Sequence, residues 1–462
     1  MALITVQGAS AGATVNVTVD GAATGNLGSL LQQFSTSLTS GIAAGTIDGE
    51  DLSTGKTSFG SNTSGYGVIT AGGSYSVSGN VGAIVFGGPA TAGVVPSSHV
   101  IINASGVTSS FVSVEGGTTG GVQFQAGVGA GAFVAATGDN AYTGDQLSGA
   151  GNWTVTTGDG DDTIVAGTGQ NTINAGTGDN LIEISNGTNY VKSYGNDTIF
   201  GGDCSFGQHV TLYGGSSFVT LGEQSYVNDV AGNDQITVGG SSTVIGGDSD
   251  SISLNGGVSS VIGGTSDTIS ASGDAVVSSS DNATVSVDGS LTFIGGTGNS
   301  TITAAQSTIF GAGGLNAVIA GSGDTLFVAG SGSETLNGAS SGSPLHAFGN
   351  NAGTTGSQVF IGGTAADTLV AGVGDATMTG GSGAANVFAL RDGIAGANYT
   401  ITDFSSAAGN FVALLGYSQS DLTNALSTQT TTDGNTTVKL ADNSTITFDN
   451  VSSLNSSDFH LW

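Results

Sequence analysis

The sequence has little cysteine, proline or positive charge. Its single cysteine, Cys204, excludes an intramolecular disulfide. Four Lys plus Arg against 34 Asp plus Glu give a net charge of −30. Such a chain is repelled by nucleic acid and by anionic membrane surfaces, so we expect its partners to be cations, protons or another copy of the chain. No apolar run approaches the roughly 18 residues of a membrane span, so we expect no membrane insertion.

Three prolines beside 83 glycines resemble the composition of a disordered chain. However, 37% of the residues are hydrophobic, and valine and isoleucine recur in short regular runs, which favours ordered β-structure. The opening, Met1-Ala-Leu-Ile-Thr-Val-Gln-Gly, lacks the basic region of a signal peptide. The near absence of cysteine is typical of proteins exported unfolded, without oxidative folding. Two interpretations remain: the protein stays in the cytoplasm, or it leaves by a route that needs no N-terminal signal peptide.

A nine-residue repeat organises the middle of the chain. Gly158-Asp-Gly-Asp-Asp-Thr-Ile is followed by Gly167-Thr-Gly-Gln-Asn-Thr-Ile and Gly176-Thr-Gly-Asp-Asn-Leu-Ile, with Ile164, Ile173 and Ile182 in one phase. A short fixed period with one large apolar residue per unit predicts a parallel β-solenoid (a β-roll or β-helix) in an all-β chain. One such unit cannot bury its own apolar face, so the fold depends on stacking.

Further repeats and composition changes divide the chain into four regions. The phrase Ile-Gly-Gly or a variant marks coils as far as residue 387, and Val244 and Val261 lie 17 residues apart, close to one full two-sided turn. We predict a strand-plus-helix element over 1–57, a glycine-rich β module continuous with the solenoid over 58–150, the solenoid over 151–387 and a small β-rich region over 388–462. A helix candidate from Ser418 to Leu426 and a strand–turn–strand around Asp442-Asn443 lie in the last region.

One amphipathic helix is predicted near the start. Its apolar residues follow a 3.6-residue period, Asn26 is a suitable cap, and Gly41 or Gly45 a suitable end. Proteins usually cover the open edges of a sheet, so the helix is interpreted either as a cap over the first coil or as an assembly element that docks on a neighbouring subunit. The residues that form its apolar face are Leu27, Leu30, Leu31, Phe34 and Leu38.

The glycine-rich nonapeptide resembles the Gly-Gly-x-Gly-x-Asp repeat of the repeats-in-toxin (RTX) family of secreted bacterial proteins, in a degenerate form. Residues 388–462, with Tyr399-Thr-Ile-Thr-Asp-Phe and the apolar tail Phe459-His-Leu-Trp, resemble the C-terminal region of type I secretion substrates. The resemblance implies export through a type I secretion ABC transporter and an extracellular or cell-surface location.

The resemblance also implies Ca²⁺ binding, because family members hold the ion with turn carbonyls and the residue at position six, and Ca²⁺ prefers oxygen ligands. Few of these positions are carboxylates here, so we expect few sites. The best set surrounds Asp159 to Asp162 with Asp179 and Asn180, which we expect on one side of the roll. The competing interpretation is that Asp and Asn at a tight turn bond their own backbone without metal. The metal candidates are Asp159, Asp161, Asp162, Asn171, Asp179, Asn180 and Asp367.

The sequence offers no catalytic constellation. Lysine, arginine and histidine are scattered, and neither a Gly-x-Ser-x-Gly elbow near a triad nor a His-Glu-x-x-His motif is present. We therefore expect no enzyme. The leading hypothesis is a secreted structural protein that self-assembles into a filament, surface layer or biofilm matrix, with itself as partner. The alternatives are an adhesin that binds cell-surface glycan and, behind it, a polysaccharide lyase or epimerase.

Overall fold

The structure, a computed structural model, describes residues 2–10, 12–19, 27–55, 57–89, 97–202, 207–311, 313–319, 323–350, 356–393 and 397–462. The chain divides into two compact units, residues 1–242 and 243–462. Both consist almost entirely of short strands stacked in parallel coils, so the predicted all-β class and parallel β-solenoid are confirmed. No helix among the described residues is long and apolar enough to cross a membrane.

The described residues of the first unit form one α-helix and 23 strands: β1 Ala2–Gln7, β2 Thr14–Val19, α1 Leu27–Ala43, β3 Ile47–Asp51, β4 Ser58–Phe59, β5 Ser64–Ile69, β6 Gly73–Gly79, β7 Val81–Phe86, β8 Gly88–Pro89, β9 Val100–Val107, β10 Phe111–Gly116, β11 Val122–Gln125, β12 Ala130–Ala135, β13 Ala141–Thr143, β14 Trp153–Thr156, β15 Thr163–Val165, β16 Thr172–Asn174, β17 Leu181–Glu183, β18 Tyr190–Ser193, β19 Thr198–Gly201, β20 His209–Leu212, β21 Phe218–Leu221, β22 Tyr226–Asp229 and β23 Gln235–Gly239.

The second unit contains the remaining strands and a second helix: β24 Thr243–Ile245, β25 Ser251–Asn255, β26 Val258–Ile262, β27 Thr268–Ala271, β28 Asp274–Ser280, β29 Thr284–Gly295, β30 Asn299–Phe310, β31 Gly314–Ile319, β32 Thr325–Val328, β33 Ser333–Asn337, β34 Leu345–Phe348, β35 Gln358–Ile361, β36 Thr368–Val370, β37 Ala376–Thr379, β38 Val387–Arg391, β39 Asn398–Ile401, β40 Phe411–Leu415, α2 Gln419–Ser427, β41 Thr430–Thr432, β42 Asn435–Lys439, β43 Thr445–Phe448 and β44 Phe459–Leu461.

Each coil contributes one strand to each of two sheets. In the first unit β13, β15, β17, β19, β21 and β23 form one sheet, and β12, β14, β16, β18, β20 and β22 form the other. Thr163 pairs with Leu181 and Leu181 with Thr198, so successive coils take 18 and then 17 residues. In the second unit Val244 pairs with Val261, which confirms the predicted two-sided turn.

The core lies between the two sheets. Ile164, Ile173 and Ile182 are fully buried, one for each strict nonapeptide. The turns between strands require glycine: at Gly176, with φ +76°, an added Cβ would lie 1.8 Å from the carbonyl oxygen of Gly158 in the neighbouring coil. Close stacking of coils and tight corners therefore exclude side chains at such positions.

The parallel stacking of strands is already present in the region 58–150. Strands β5, β7, β10, β12 and β14 pair in parallel one after another. A cluster of rings fills the core here, with the centroids of Phe124 and Phe133 5.1 Å apart and those of Phe124 and Trp153 5.5 Å apart. Aromatic side chains bury large apolar area, which suits the longer coils of this part.

The N-terminal element packs against the outer face of the first coils. β1 and β2 form an antiparallel hairpin that turns between Gln7 and Thr14, and the predicted helix cap Asn26 lies outside the described residues. Helix α1 ends at Ala43, before Gly45 with φ +70°. Its Leu38 is buried among residues of the hairpin and of strands β5 and β7, namely Val6, Val15, Val17, Tyr66, Val68, Ala83 and Val85.

The solenoid continues beyond residue 387. β38 pairs in parallel with β40 and β40 with β44, while β37 pairs with β39 and β39 with β43. The C-terminal region therefore differs from the coils before it mainly by α2 and the antiparallel strands β41, β42 and β43. The amino-acid composition changes at residue 388, but the parallel pairing of strands continues, because inward residues such as Phe388 and Leu414 still fill the core.

Candidate metal centre

The residue at position six of each repeat comes directly before a strand and lies in the interior. On the side of β13, β15, β17 and β19 these residues form a column, here called the Asp column. On the side of β16, β18 and β20 they form a second column, here called the amide column. All the members are buried; those of the Asp column are Asn140, Asp162, Asn180 and Asp197, and those of the amide column are Asn171, Asn189 and Gln208.

In the Asp column each side chain accepts a hydrogen bond from the coil before it. The Oδ1 atom of Asp162 accepts from the backbone N of Asn140 at 2.7 Å and from its Nδ2 at 3.0 Å. The backbone N of Asp162 donates in turn to Asn180 Oδ1 at 2.8 Å, and that of Asn180 to Asp197 Oδ1 at 2.9 Å. The column thus ties successive coils together at one corner.

The amide column makes the same connection with neutral residues. Asn171 Oδ1 accepts from the backbone N of Trp153 at 3.0 Å, and its Nδ2 donates at 2.9 Å to the carbonyls of Gly167 and Gly169 and to Asn189 Oδ1. Both polar atoms are occupied, and β16 pairs with β14 and β18 rather than with the strands that follow Asp162 and Asn180. Asn171 therefore lies at another corner than the carboxylates around Asp162, and its amide serves the backbone there.

The Asp column leaves two carboxylate oxygens without a hydrogen-bond partner, Oδ2 of Asp162 and Oδ2 of Asp197. Both side chains are 1% exposed. Burial raises the pKa of Asp162 to about 7, against the lowering effect of the nearby Thr157 hydroxyl and of the bonds from Asn140, and with a smaller raising contribution from Asp139. Burial also raises the pKa of Asp197. A carboxyl group buried in this way is stabilised either by a proton on its second oxygen or by a cation bound to that oxygen.

Exposed carboxylates surround the same corner. Asp159 Oδ1 accepts from Thr177 Oγ1 at 3.0 Å, Asp161 Oδ1 from the backbone N of Asp179 at 2.9 Å, and Asp179 Oδ1 from Asn196 Nδ2 at 3.0 Å. The corner hydrogen bonds thus reach the neighbouring coil, and not only the residue's own turn as the metal-free interpretation assumed. They order the carboxylates along the solenoid without neutralising their charge.

Asp367 lies in the second unit and is already engaged. Its Oδ1 accepts from the backbone N of Leu345 at 2.8 Å and its Oδ2 from that of Gly363 at 2.8 Å. Burial raises its pKa, while these two donors and the charge of His346 lower it. Both oxygens serve the backbone, so Asp367 has the environment of a structural residue.

The carboxylates around Asp162 are of the type that Ca²⁺ prefers, and Asp162 Oδ2 is a buried atom that a cation would satisfy. However, Asp159, Asp161 and Asp179 are exposed, and no three of these four carboxylates place oxygen atoms within 4.8 Å of one another. Asn180 is less suitable, because its Oδ1 and Nδ2 bond Asp162 N and Asp197 Oδ1.

Three members of this corner are absent from the predicted metal candidates. Asn140 and Asp139 precede the first strict nonapeptide, and Asp197 follows the last one. A signal was present, since Thr137-Gly-Asp-Asn has the same four residues as Thr177-Gly-Asp-Asn. The nine-residue phase is lost between the two copies, because the coil from Asn140 to Asp162 takes 22 residues instead of 18.

Among the predicted assembly residues, Leu38 is the one whose side chain the structure describes. The side chains of the others lie outside the described part of the chain: Leu27, Leu30, Leu31 and Phe34. Leu38 belongs to the core of its own chain, which agrees with the covering role of α1 and removes this side chain from any free docking surface.

Three of the four histidines make local contacts. His99 Nδ1 lies 2.9 Å from Gly120 O, the ring of His209 stacks at 4.7 Å on Tyr190, and that of His460 stacks at 4.2 Å on Phe411. These contacts are of the structural kind that ring stacking provides.

Comparisons with protein-family models, with curated proteins and with solved structures found no match to this chain.

Proposed function

We propose that this chain is a secreted structural protein that assembles outside the cell, by stacking solenoid on solenoid, into a filament, surface layer or biofilm matrix. The observation that carries the proposal is that the last coil presents a strand edge. Among the described strands, β44 pairs only with β40, whereas β3 in the first coil pairs with β5 and contacts helix α1. A parallel strand with one free edge can add another strand through main-chain hydrogen bonds.

The edge of β44 has a defined polarity. The backbone N of Trp462 donates to Leu414 O at 3.1 Å, and Trp462 O accepts from the backbone N of Gly416 at 2.9 Å. Because N–H groups alternate in direction along a strand, the N–H of Leu461 points away from β40. This group is the donor that an added strand would meet.

The edge of β3 is acidic. Its sequence, Ile47-Asp-Gly-Glu-Asp51, carries three carboxylates in five residues. Charged edge strands oppose uncontrolled pairing, and the net charge of −30 adds to the repulsion between copies. Assembly of such a chain requires cations or low pH.

Calcium at the Asp162 corner is the second part of the proposal. Export through a type I ABC transporter is the third part, and it rests on the resemblance of residues 388–462.

Negative-stain imaging in calcium and in chelator, at neutral and acidic pH, tests the assembly. We expect ordered polymers from the native chain and none from Leu461→Pro, which removes the outward N–H but leaves the bonds to β40. Leu461→Ala is the matched control, because it loses the side chain and keeps the N–H. Monodisperse monomers of the native chain under every condition would overturn the assembly role.

Isothermal titration with Ca²⁺ tests the metal part separately. We expect binding by the native chain and a loss of at least one site in Asp162→Ala. Asp367→Ala is the control, since both of its carboxylate oxygens already accept backbone bonds. No heat of binding from the folded native chain would remove calcium from the proposal and leave protons as the charge-neutralising agent.

A groove favours the adhesin alternative. It encloses about 600 Å³ on the outer face of β15, β17 and β19 and is lined in part by Leu181, Glu183, Asn186 and Phe200. An aromatic ring beside a carboxylate and an amide is a combination that binds sugars by stacking and hydrogen bonding. A glycan array on the monomer distinguishes the two functions: binding that Phe200→Ala abolishes, together with an absence of polymers, would favour adhesion.

A further inference from the structure

One broad face of the second unit carries an apolar column on its outer surface. The outward residues of successive strands in this sheet are in register, and here they are called the apolar column: Ile245, Ile262, Ser278, Ile294, Phe310, Val328, Phe348 and Val370. Ile262, Ile294, Phe310 and Phe348 are each between 39% and 45% exposed. Seven of the eight positions are apolar.

This face is also uncharged. The second outward position of the same strands holds Thr243, Ser260, Val276, Thr292, Thr308, Leu326, His346 and Thr368. Across sixteen outward positions His346 is the one titratable residue. The acidic side chains of these coils lie at the rim, as at Asp274 and Asp324, or in the corners.

The opposite face of the same coils is hydroxylated instead. Its outward positions include Ser251, Thr268, Thr284 and Thr301, followed in the next column by Ser253, Ser270, Ser286 and Thr303. Hydroxyl groups remain hydrated at little cost, whereas an exposed apolar column gains free energy when water is removed from it. Of the two faces, the apolar one therefore gains more free energy from contact with a partner.

We propose that the apolar column is the contact through which two copies of this chain associate side by side. A neutral strip is where two chains of net charge −30 can approach with least repulsion, because their carboxylates stay at the rims. A two-fold axis that lies in the plane of the face brings each column onto its own copy, so one surface serves both partners. The contact is separate from the end strands β3 and β44, so the dimer forms whether or not filaments do.

The size of the strip sets the expected strength. Eight strands about 4.8 Å apart make it roughly 34 Å long. With a width of about 15 Å it buries roughly 1,000 Å² counted over both partners, at the lower limit of stable interfaces. We therefore expect a reversible, concentration-dependent dimer, strengthened by salt that screens the rim carboxylates.

Sedimentation velocity over a concentration series, at low and high salt, tests the proposal. We expect Ile294→Lys/Phe310→Lys to weaken dimerisation at least about tenfold, since two apolar contacts are lost and two charges must be desolvated. The matched control is Thr284→Lys/Thr301→Lys, which places the same charges on the same strands, β29 and β30, but on the hydroxylated face. We expect the control to dimerise at least as well as the native chain, because it lowers the net negative charge.

Three results would overturn the proposal: a native chain that stays monomeric up to its solubility limit, equal weakening by both lysine variants, or weakening by the control alone. Circular dichroism checks that the variants fold. If the lysine variant does not, Ile294→Thr/Phe310→Thr takes its place, because threonine keeps the strand preference and removes most of the apolar area. Dimerisation of a folded threonine variant with native affinity would equally contradict the proposal.

Discussion

The two sides of the solenoid in the first unit use one repeat for two different corners. On the amide side Asn171 and Asn189 occupy both of their polar atoms with backbone and with each other. On the Asp side Asp162 occupies one oxygen and leaves the other buried without a partner. Because the amide group can donate and the ionised carboxylate cannot, the same backbone position is complete on one side and titratable on the other.

The difference shows how one position of the repeat sets the needs of a corner. The amide of Asn171 makes its corner self-sufficient, whereas the carboxylate of Asp162 leaves one buried oxygen that a proton or a cation would satisfy. One substitution between Asn and Asp changes this dependence while the interlocking hydrogen bonds of the coils remain. The two columns are therefore a natural internal control for each other.

The largest expected effect comes from breaking the amide side. Asn171→Ala leaves the Trp153 N–H and the Gly167 and Gly169 carbonyls without their partner. We expect the free energy of unfolding to fall by roughly 3 kcal/mol, since each buried polar group left unsatisfied costs about 1–3 kcal/mol. Urea unfolding followed by circular dichroism measures the change as a shift of the midpoint. Thr172→Ala, at the exposed neighbouring position, is the control, and an equal loss in both variants would contradict the role of the column.

A smaller effect, of opposite sign, comes from converting the Asp side into the amide side. Asp162→Asn supplies the missing donor, so we expect it to raise the free energy of unfolding at pH 8 by about 1–2 kcal/mol. The pH dependence has a definite sign, because burial raises the pKa of Asp162 from 3.8 to about 7. Its stabilising contribution is complete below about pH 4 and is lost as the pH rises towards 7.

Thermal melts from pH 4 to pH 8 in chelator therefore distinguish Asp162→Asn from the native chain. We expect similar melting temperatures at pH 4 and a more stable variant at pH 8. Asp161→Asn, next to it and exposed, serves as the control for removal of one negative charge. A gain in Asp161→Asn equal to that in Asp162→Asn would assign the effect to net charge instead of the buried oxygen.

The smallest effect concerns the outer faces of the same two sides. On the amide side Tyr190 and His209 stack with centroids 4.7 Å apart and planes 13° apart, while on the Asp side Phe200 and Phe218 meet edge to face at 6.1 Å. We expect His209→Ala to cost about 0.5–1.5 kcal/mol, the usual contribution of an aromatic pair. Thr211→Ala on the same strand is the control in urea unfolding, and no difference between the two would show that the stack adds nothing.

Much of the architecture could be predicted from local patterns. The nonapeptide phase places Ile164, Ile173 and Ile182 in the core, as observed. Helix α2 begins after Ser418, whose side chain accepts from the backbone N of Asp421 in a capping box, close to the predicted start. Both predictions succeed because the information lies within a few neighbouring residues. It is the phase of the repeat in the first case and the helix cap in the second.

The sequence alone thus determined that the chain is a β-solenoid with glycine corners, since period, glycine spacing and β-branched residues all act locally. Only the tertiary structure decided which way each side chain points. In Val244-Ile245, Val261-Ile262 and Phe293-Ile294 the first residue is buried and the isoleucine lies outside, although an apolar pair gives no preference between the two. The phase is set by the corner that precedes the strand. In the same way, Asn171 and Asn180 are one repeat apart in the sequence yet belong to opposite corners, because a coil needs two repeats to close.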